Sequence, residues 1–482
     1  MLFNSFEFLI FLPIVFCLYW FVFQGNLGRQ NLFILLASYV FYGSWSWKFL
    51  LLIAFTSFSS YASGILIERS KSQRVRYVVN ASNIVINLLV LGFFKYFNFF
   101  IESFVEVFAR LGVELHVHTL QIILPVGISF YTFQALSYSI DVYRQRIKAS
   151  GDIVSFFAFI SFFPQLVAGP IERASNLLPQ FAGPRTFDRT KSVDGLRQIL
   201  WGLFKKVVIA DNCAKFANSI FDHSTEHSGS TLVLGALFFS IQIYGDFSGY
   251  SDIAIGTARL FGFDLKRNFA YPHFSRSIPE FWRRWHISLS SWFRDYLYIP
   301  LGGSRGSLWL KVRNVFIVFI VTGFWHGANW TFLAWGFLHA LYMMPSIFLQ
   351  TNRKNLDVVA SGKSCPSLRE LGSMLRSFIL VALALIFFRS QNMDHALSYL
   401  AGVFSPTLFT LPSIESVKWQ SITGVLIVFF YAIEWIGRAT PHALFAFGSS
   451  WSRSRRWVFY YMLVLLIIYF SGSEQTFIYF QF

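Results

Sequence analysis

VFIVFIVTGFWHGANWTFLAWGFLHALYMMPSIFL, Val315–Leu349, is an apolar stretch interrupted once near its middle, by GFWHGANW at Gly323–Trp330. It is just long enough for two short membrane spans. Glycines at 323 and 327 bracket His326 and allow the backbone to break or to be approached closely. Polar and ionisable residues are expensive in such a chain, about 2.5–3.5 kcal/mol for an Arg or Asp at a span centre, so an interruption of this kind calls for a reason. Asn329 is placed to satisfy freed backbone groups or to orient the imidazole. A neutral histidine near its unperturbed pKa of about 6.5 is a natural general base. A histidine that merely bonds a neighbouring helix fits the same string, and the string alone leaves both readings open.

The rest of the chain has the same character. Of 482 residues, 55% are hydrophobic, 20% aromatic and only 13% charged, with sixty Phe, fifteen Trp and a mean hydropathy of +0.51. Soluble domains carry about 25% charge. Length alone would suggest about three soluble domains, but this composition describes a surface facing hydrocarbon. We therefore expect one all-α polytopic membrane domain spanning 1–482. A span must satisfy its backbone internally, and these runs are too long and too continuously apolar for barrel strands. Disulfide scaffolds and disordered tails are excluded by three cysteines and so little polar sequence. The net charge of +16 gathers in short loops between apolar runs, as anionic lipid headgroups and the positive-inside bias select. Membrane lipid, rather than nucleic acid, is the expected polyanionic neighbour. Cys17, Cys213 and Cys365 lie far apart without metal-ligand or redox spacing, so no metal is expected.

Apolar runs begin at the N-terminus, which lacks a basic n-region and a cleavage site and so reads as a retained first helix. Others lie near 31–45, 49–67, 77–97, 120–140, 153–169, 231–245, 314–349, 377–389, 419–436 and 457–471, giving about 11 transmembrane helices, several of them short of the ~20 residues of a perpendicular span. Arg69, Lys71, Arg74 and Arg76 place one loop inside; Glu102, Glu106 and Glu114 against Arg110 place the next outside. The basic stretches 144–148, 173–206, 264–313, 351–376 and 438–456 fall inside, and 216–230 and the C-terminal tail outside. Only the run Ile153–Gly169 fails, being flanked by basic loops at both ends. It should be re-entrant or two half-helices, with polar backbone protected by protein.

Polar residues concentrate between Tyr244 and Asn329: YGDFSGYSD, then NFAYPHFSRSIPEFWRRWHISLSSWFRDYLYIPLGGSRG, then GFWHGANW. Arg283, Arg284 and Trp285 precede His286 in a segment too basic to span and too aromatic to be a free loop, which suggests an interfacial or re-entrant helix. On one continuous helix, Trp285, Ser288 and Trp292 share a face, and Arg284, Ser291 and Asp295 share the adjacent one. Arg284 and Asp295 would then pair only through an intermediary. The arginines suit either lipid headgroups or an anionic substrate. LGGSRG, Leu301–Gly306, lacks phosphate-loop spacing. Asp246 and Asp252 are expected to hold helix ends or to pair with the arginines; without a Gly-x-Ser-x-Gly elbow, a serine nucleophile is not expected there.

RRWHISLSSWFRDYLYIPLGG (Arg283–Gly303) followed by GFWHGANW resembles the membrane-bound O-acyltransferase (MBOAT) family, and within it the bacterial alginate O-acetyltransferase branch. LPVGISFYTFQALSYSIDVYR (Leu124–Arg144), FFPQLVAGPIER (Phe162–Arg173), YGDFSGYSDIAIG (Tyr244–Gly256) and FIYFQF (Phe477–Phe482) extend the resemblance over nearly the whole chain. It implies an MBOAT-like helical enzyme of the bacterial inner membrane, moving an acyl group from a cytoplasmic thioester to a hydroxyl outside. It further implies that His326, of the W-H-G string, is essential and that His286 is a second functional position. Trp325, Asn329 and Asp295 would support them. Arg283, Arg284, Arg294 and Arg305 would meet the phosphates of coenzyme A. The donor implied is acetyl-CoA, and the acceptor a polysaccharide such as alginate or another exopolysaccharide, reached directly or through an extracytoplasmic acetyltransferase partner. D-alanyl transfer from a carrier protein is the alternative within the family. A transporter or flippase, which also breaks helices at midplane polar groups, is the alternative outside it, and the absence of an internal repeat counts against it.

Overall fold

The computed structural model describes residues 1–115, 120, 122–413, 417–472, 475, 477 and 478, and all regular structure among them is helical. The chain divides into two compact units, Met1–Ser192 with Thr257–Lys266, and Val193–Gly256 with Arg267–Phe482. Among the described residues seven helices are long and apolar enough to cross a membrane, with shorter apolar helices at Phe6–Val22 and Ile153–Leu166. The remaining runs of the sequence become helices of 16 to 18 residues.

The first unit contains α1 (Phe6–Cys17), α2 (Leu27–Gly43), α3 (Leu50–Arg69), α4 (Gln73–Arg110), α5 (Ile128–Tyr143), α6 (Ile153–Ser161), α7 (Phe163–Leu166) and α8 (Ala174–Ala182). Polar residues start several of them: Ser5, Asn26, Ser72 and Asp152 each accept from a first-turn amide, a cap worth about 1 kcal/mol. Helix α4 is about 57 Å long at 1.5 Å per residue and so outruns the hydrocarbon core. Its far end carries the Arg110–Glu106 ion pair at 2.6 Å, so part of the acidic outer segment is helix. The run that a single span forbade is two half-helices, α6 and α7, broken at Phe162. The Phe163 amide donates to Ser38 Oγ at 3.1 Å, and the Phe159 carbonyl accepts from Gln134 and Gln165 at 2.7 and 3.1 Å. Neutral amide and hydroxyl side chains thus satisfy the backbone that the break exposes.

In the second unit come α9 (Arg189–Leu203), α10 (Asp211–Asp222), α11 (Gly229–Leu260), α12 (Ile278–Arg284), α13 (Ile287–Phe293), α14 (Leu308–His326), α15 (Trp330–Phe348), α16 (Leu368–Arg389), α17 (Met393–Val403), α18 (Val417–Ile436) and α19 (Arg453–Phe470). The ranges of α9 and α11 begin or end just across the unit boundary. Asp246 and Asp252 lie within α11 rather than at a helix end, and their partners are lysines rather than arginines. Lys206 sits 2.8 Å from both Asp246 and Asp211, and Lys205 2.6 Å from Asp252. Both lysines belong to a π-helical turn, Phe204–Ala210, whose widened register turns two successive cations inward. Helices α14 and α15 form a hairpin drawn together at Gly323 and Gly336. A Cβ at either would collide with backbone of the other helix, so the glycines set a close approach of the small-residue kind.

Candidate active site

His326 ends α14, and Gly327 leaves the helix in an extended conformation. The imidazole is 3% exposed. Its ring centroid lies 4.9 Å from that of Trp325, 5.1 Å from Trp335, 5.4 Å from Phe388 and 6.4 Å from His286. Forty positions separate the two histidines in the sequence, and the fold brings them together.

His286 stands between α12 and α13 with φ 42° and ψ 54°, left-handed backbone that L side chains seldom adopt. This corrects the continuous helix expected over 284–295: the faces expected of it do not form, because the chain turns at Trp285–His286. Arg284 instead bonds Glu280 at 2.9 Å, and Asp295 bonds its neighbour Arg294 at 2.7 Å. His286 is fully buried and packs against Phe247 at 4.7 Å and Trp325 at 6.0 Å. Burial pushes its imidazole down to about 3, so the ring is neutral at physiological pH. Its Nδ1 lies 3.1 Å from Asn268 Oδ1.

A cavity of about 670 Å³ opens beside this pair within the second unit. Arg283, Arg294, Lys311 and Arg353 line it together with Ser290 and Ser291, and Trp282, Val318, Phe319, Met343 and Ile347 supply apolar wall. Thr322, which also lines it, precedes His326 by one helical turn. Arg283 donates to the carbonyls of Asn352, Lys354 and Asn355 at 2.8–3.1 Å and so fixes the loop that carries Arg353.

Of the four arginines predicted for phosphates, Arg283 and Arg294 line the cavity. Arg284 is absent from its wall and is held by Glu280 and the Ala270 and Asp357 carbonyls. Arg305 is exposed on the LGGSRG turn and is also absent from the wall. That turn is a structural one, its carbonyls at Leu301 and Gly303 accepting from buried Asn314 at 3.2 and 3.1 Å. Asn329 does not orient the imidazole: its Oδ1 caps α15 at the Thr331 amide, 3.0 Å, and its Nδ2 donates to the Gln391 carbonyl at 2.8 Å. Sequence reasoning missed Asn268, Lys311 and Arg353. Asn268 opens the longest polar string, but nothing in its spacing ties it to His286.

Of FIYFQF, Phe477 and Ile478 are described and residues 479–482 lie outside the described set. The Ile478 amide donates to Asp246 at 2.8 Å, and Phe477 packs on Tyr250 at 4.7 Å. Among the described residues no three His, Cys, Asp or Glu side chains gather as a metal site.

Two buried histidines face each other, and neither lines the cavity, whose wall comes nearest to them in sequence at Ile287 and Thr322. Residues 34–364 match MBOAT, the membrane-bound O-acyltransferase family, and the chain belongs to it. It is therefore a multi-pass membrane acyltransferase. It is 39% identical to the probable alginate O-acetylase AlgI of Azotobacter vinelandii, over 90% of this chain and 84% of that one. It is 33% identical to the peptidoglycan O-acetyltransferase of Helicobacter pylori, over 100% and 98%. With the teichoic acid D-alanyltransferase of Bacillus subtilis it shares 29% identity over 49% of this chain and 62% of that one.

Proposed function

We propose that the chain, acting as one catalytic domain in the bacterial inner membrane, takes acetyl from cytoplasmic acetyl-CoA and delivers it toward a polysaccharide hydroxyl outside. The observation that carries this reading is His326 paired with His286, each close in sequence to a residue lining a cavity with both cationic and apolar wall, Thr322 and Ile287. The basic loops 264–313 and 351–376, inside by the positive-inside bias, support a cytoplasmic position for the cavity's cationic residues. There Arg283, Arg294, Lys311 and Arg353 would pair with the donor's phosphates, and the pantetheine arm would run along Phe319 and Val318 toward Thr322.

His326 acts as general base. It takes the proton from the acceptor hydroxyl as that oxygen attacks the thioester carbonyl; the C–S bond breaks, and the proton passes to the departing thiolate. Holding both substrates together supplies much of the rate, and no covalent enzyme intermediate is required. His286, neutral and buried, stands across from the base and holds a substrate hydroxyl or amide N–H as a hydrogen-bond acceptor, so keeping the reactants in place for attack. The immediate acceptor is a polysaccharide hydroxyl or a hydroxyl of an extracytoplasmic acetyltransferase partner. Acetyl is favoured over D-alanyl because the relatives aligned along 90% or more of this chain are named O-acetylases or O-acetyltransferases, whereas the D-alanyltransferase aligns along half of it.

The test supplies labelled acetyl-CoA to liposomes with the cytoplasmic face outward. The parent should release free thiol and move label, and a folded His326→Ala variant should do neither. Equal turnover by that variant would remove His326 from the mechanism, and label movement without thiol release would point to a transporter.

A further inference from the structure

We propose that Asn268 is a positioning residue that holds His286 in the Nδ1–H tautomer, leaving Nε2 as the nitrogen that carries the lone pair. This rests on the reading in which His286 takes part in transfer.

The orientation of the Asn268 amide is set by a group with no choice of role. The Ser288 backbone N–H can only donate, and it points at Oδ1 from 3.3 Å. Ser288 Oγ lies 2.9 Å from the same oxygen, while Nδ2 on the other side donates to Ser251 Oγ at 3.1 Å. Exchanging the amide's oxygen and nitrogen would set N–H against N–H. Oδ1 is therefore an acceptor, and an amide oxygen has nothing to donate. A ring nitrogen 3.1 Å from it must be the donor, so Nδ1 carries the proton. In a neutral imidazole the second nitrogen is then the base or acceptor.

The same residue also clamps the backbone around the ring. The Asn268 carbonyl accepts from the Ile287 amide at 2.9 Å, so the imidazole of 286 and the amides of 287 and 288 all bond to one side chain or its own peptide. Asn268 is fully buried, and water does not compete for these bonds. The clamp falls where His286 takes its left-handed conformation, which is strained and persists only where the surroundings over-determine it. The titratable and charged groups around this assembly include His326 across the rings, Asp252 in its ion pair with Lys205 beyond Ser251, and Arg267, Glu434, His442, Tyr244 and Tyr271, which line one small cavity with Asn268. Around them stand the rings of Phe247, Phe269 and Trp325. Choice of tautomer thus falls to an uncharged amide, which fixes the proton without ionising the ring.

A residue that only starts α13 would affect folding; one that sets a tautomer should affect turnover through His286. Full-length Asn268→Leu, Asn268→Asp, His286→Ala and the Asn268→Leu/His286→Ala double variant are compared for kcat and KM in acetyl transfer and for thermal melting. We expect Asn268→Leu to lower kcat about 10²-fold with KM little changed. Asn268→Asp, which keeps an acceptor on Nδ1, should recover most of it. Its carboxylate favours the imidazolium, so the acid limb of its pH profile should move to higher pH. The double variant should be no slower than His286→Ala, the signature of one pathway. Full kcat in Asn268→Leu, losses that multiply in the double variant, or failure of Asp to rescue would each overturn the proposal.

Should His286→Ala itself turn over like the parent, the catalytic reading of His286 falls. The tautomer is then judged separately by imidazole ¹⁵N shifts of histidine-labelled protein. A protonated Nδ1 in the parent that is lost or mixed in Asn268→Leu sustains the assignment, and an unprotonated Nδ1 in the parent refutes it.

Discussion

Two apolar runs of this chain are broken, and the breaks are built from different materials. At Phe162 the half-helices α6 and α7 separate, and the exposed backbone is met by Ser38, Gln134 and Gln165, none of which titrates. At Gly327 helices α14 and α15 separate under a close glycine contact, and the residue left at the break is His326, facing His286 at 6.4 Å. Both breaks solve the same problem of backbone groups in an apolar setting. Of these two, the second leaves a titratable side chain at the break, one helical turn from Thr322 in the cavity wall. An interrupted span therefore locates a polar place in the membrane, and the side chain at the interruption decides whether chemistry is available there.

The sharpest way to break this contrast is to exchange the effects of the two sites. His326→Ala should reduce acetyl transfer by about 10²–10⁴-fold, the usual worth of a general base, with melting close to the parent. A melting-neutral variant that keeps turnover would place the two breaks in the same structural class. Next in size is the cavity: Lys311→Ala with Arg353→Ala should raise the KM for acetyl-CoA by about 10-fold, equivalent to about 1.4 kcal/mol, with kcat nearly unchanged, as steady-state kinetics would read it. Equal affinity would move the donor elsewhere. At the other break, Gln134→Leu should cost about 1 kcal/mol of stability, seen as an earlier melting transition, because the Phe159 carbonyl keeps Gln165 as a partner. Its turnover at low temperature should match the parent.

The sequence made both breaks visible for physical reasons. Charge at each end of Ile153–Gly169 forbade a single span, and two glycines around a histidine interrupted Val315–Leu349. Local competition was harder to see. Asn329 reads equally as an imidazole partner or as a helix cap, and the cap prevails because the amide of Thr331 is two residues away. The turn at His286 was hidden because a left-handed residue leaves no mark on helical periodicity. Lys205 and Lys206 looked like part of a basic loop for headgroups. A π-helical turn instead buries them against Asp252, Asp211 and Asp246, an arrangement that a pattern based on 3.6 residues per turn does not contain. Lys311 and Arg353 flank the cavity from distant segments, so only the fold unites them.

The smallest effect separates the regions by the sign of their response to acid. His286 is depressed to about 3 by burial, so between its unfolded value near 6.5 and that figure the unfolded chain binds the extra proton. Its contribution to stability is complete above pH 6.5 and is lost as pH falls, by up to about 1.4 kcal/mol per pH unit. Glu172, eleven residues beyond Ser161 of the α6 half-helix, has the opposite sign. Burial raises its carboxyl above the ordinary 4.5 against the bonds from Lys266 N and Asn176, so the folded chain holds the proton. That contribution is complete below 4.5 and is lost as pH rises through the folded value. Melting temperatures between pH 4 and 8 should therefore fall less steeply toward acid in His286→Gln than in the parent, and more steeply in Glu172→Gln. Parallel curves for all three proteins would mean that neither buried group sets the acid response, and that the two breaks differ in chemistry without differing in proton linkage.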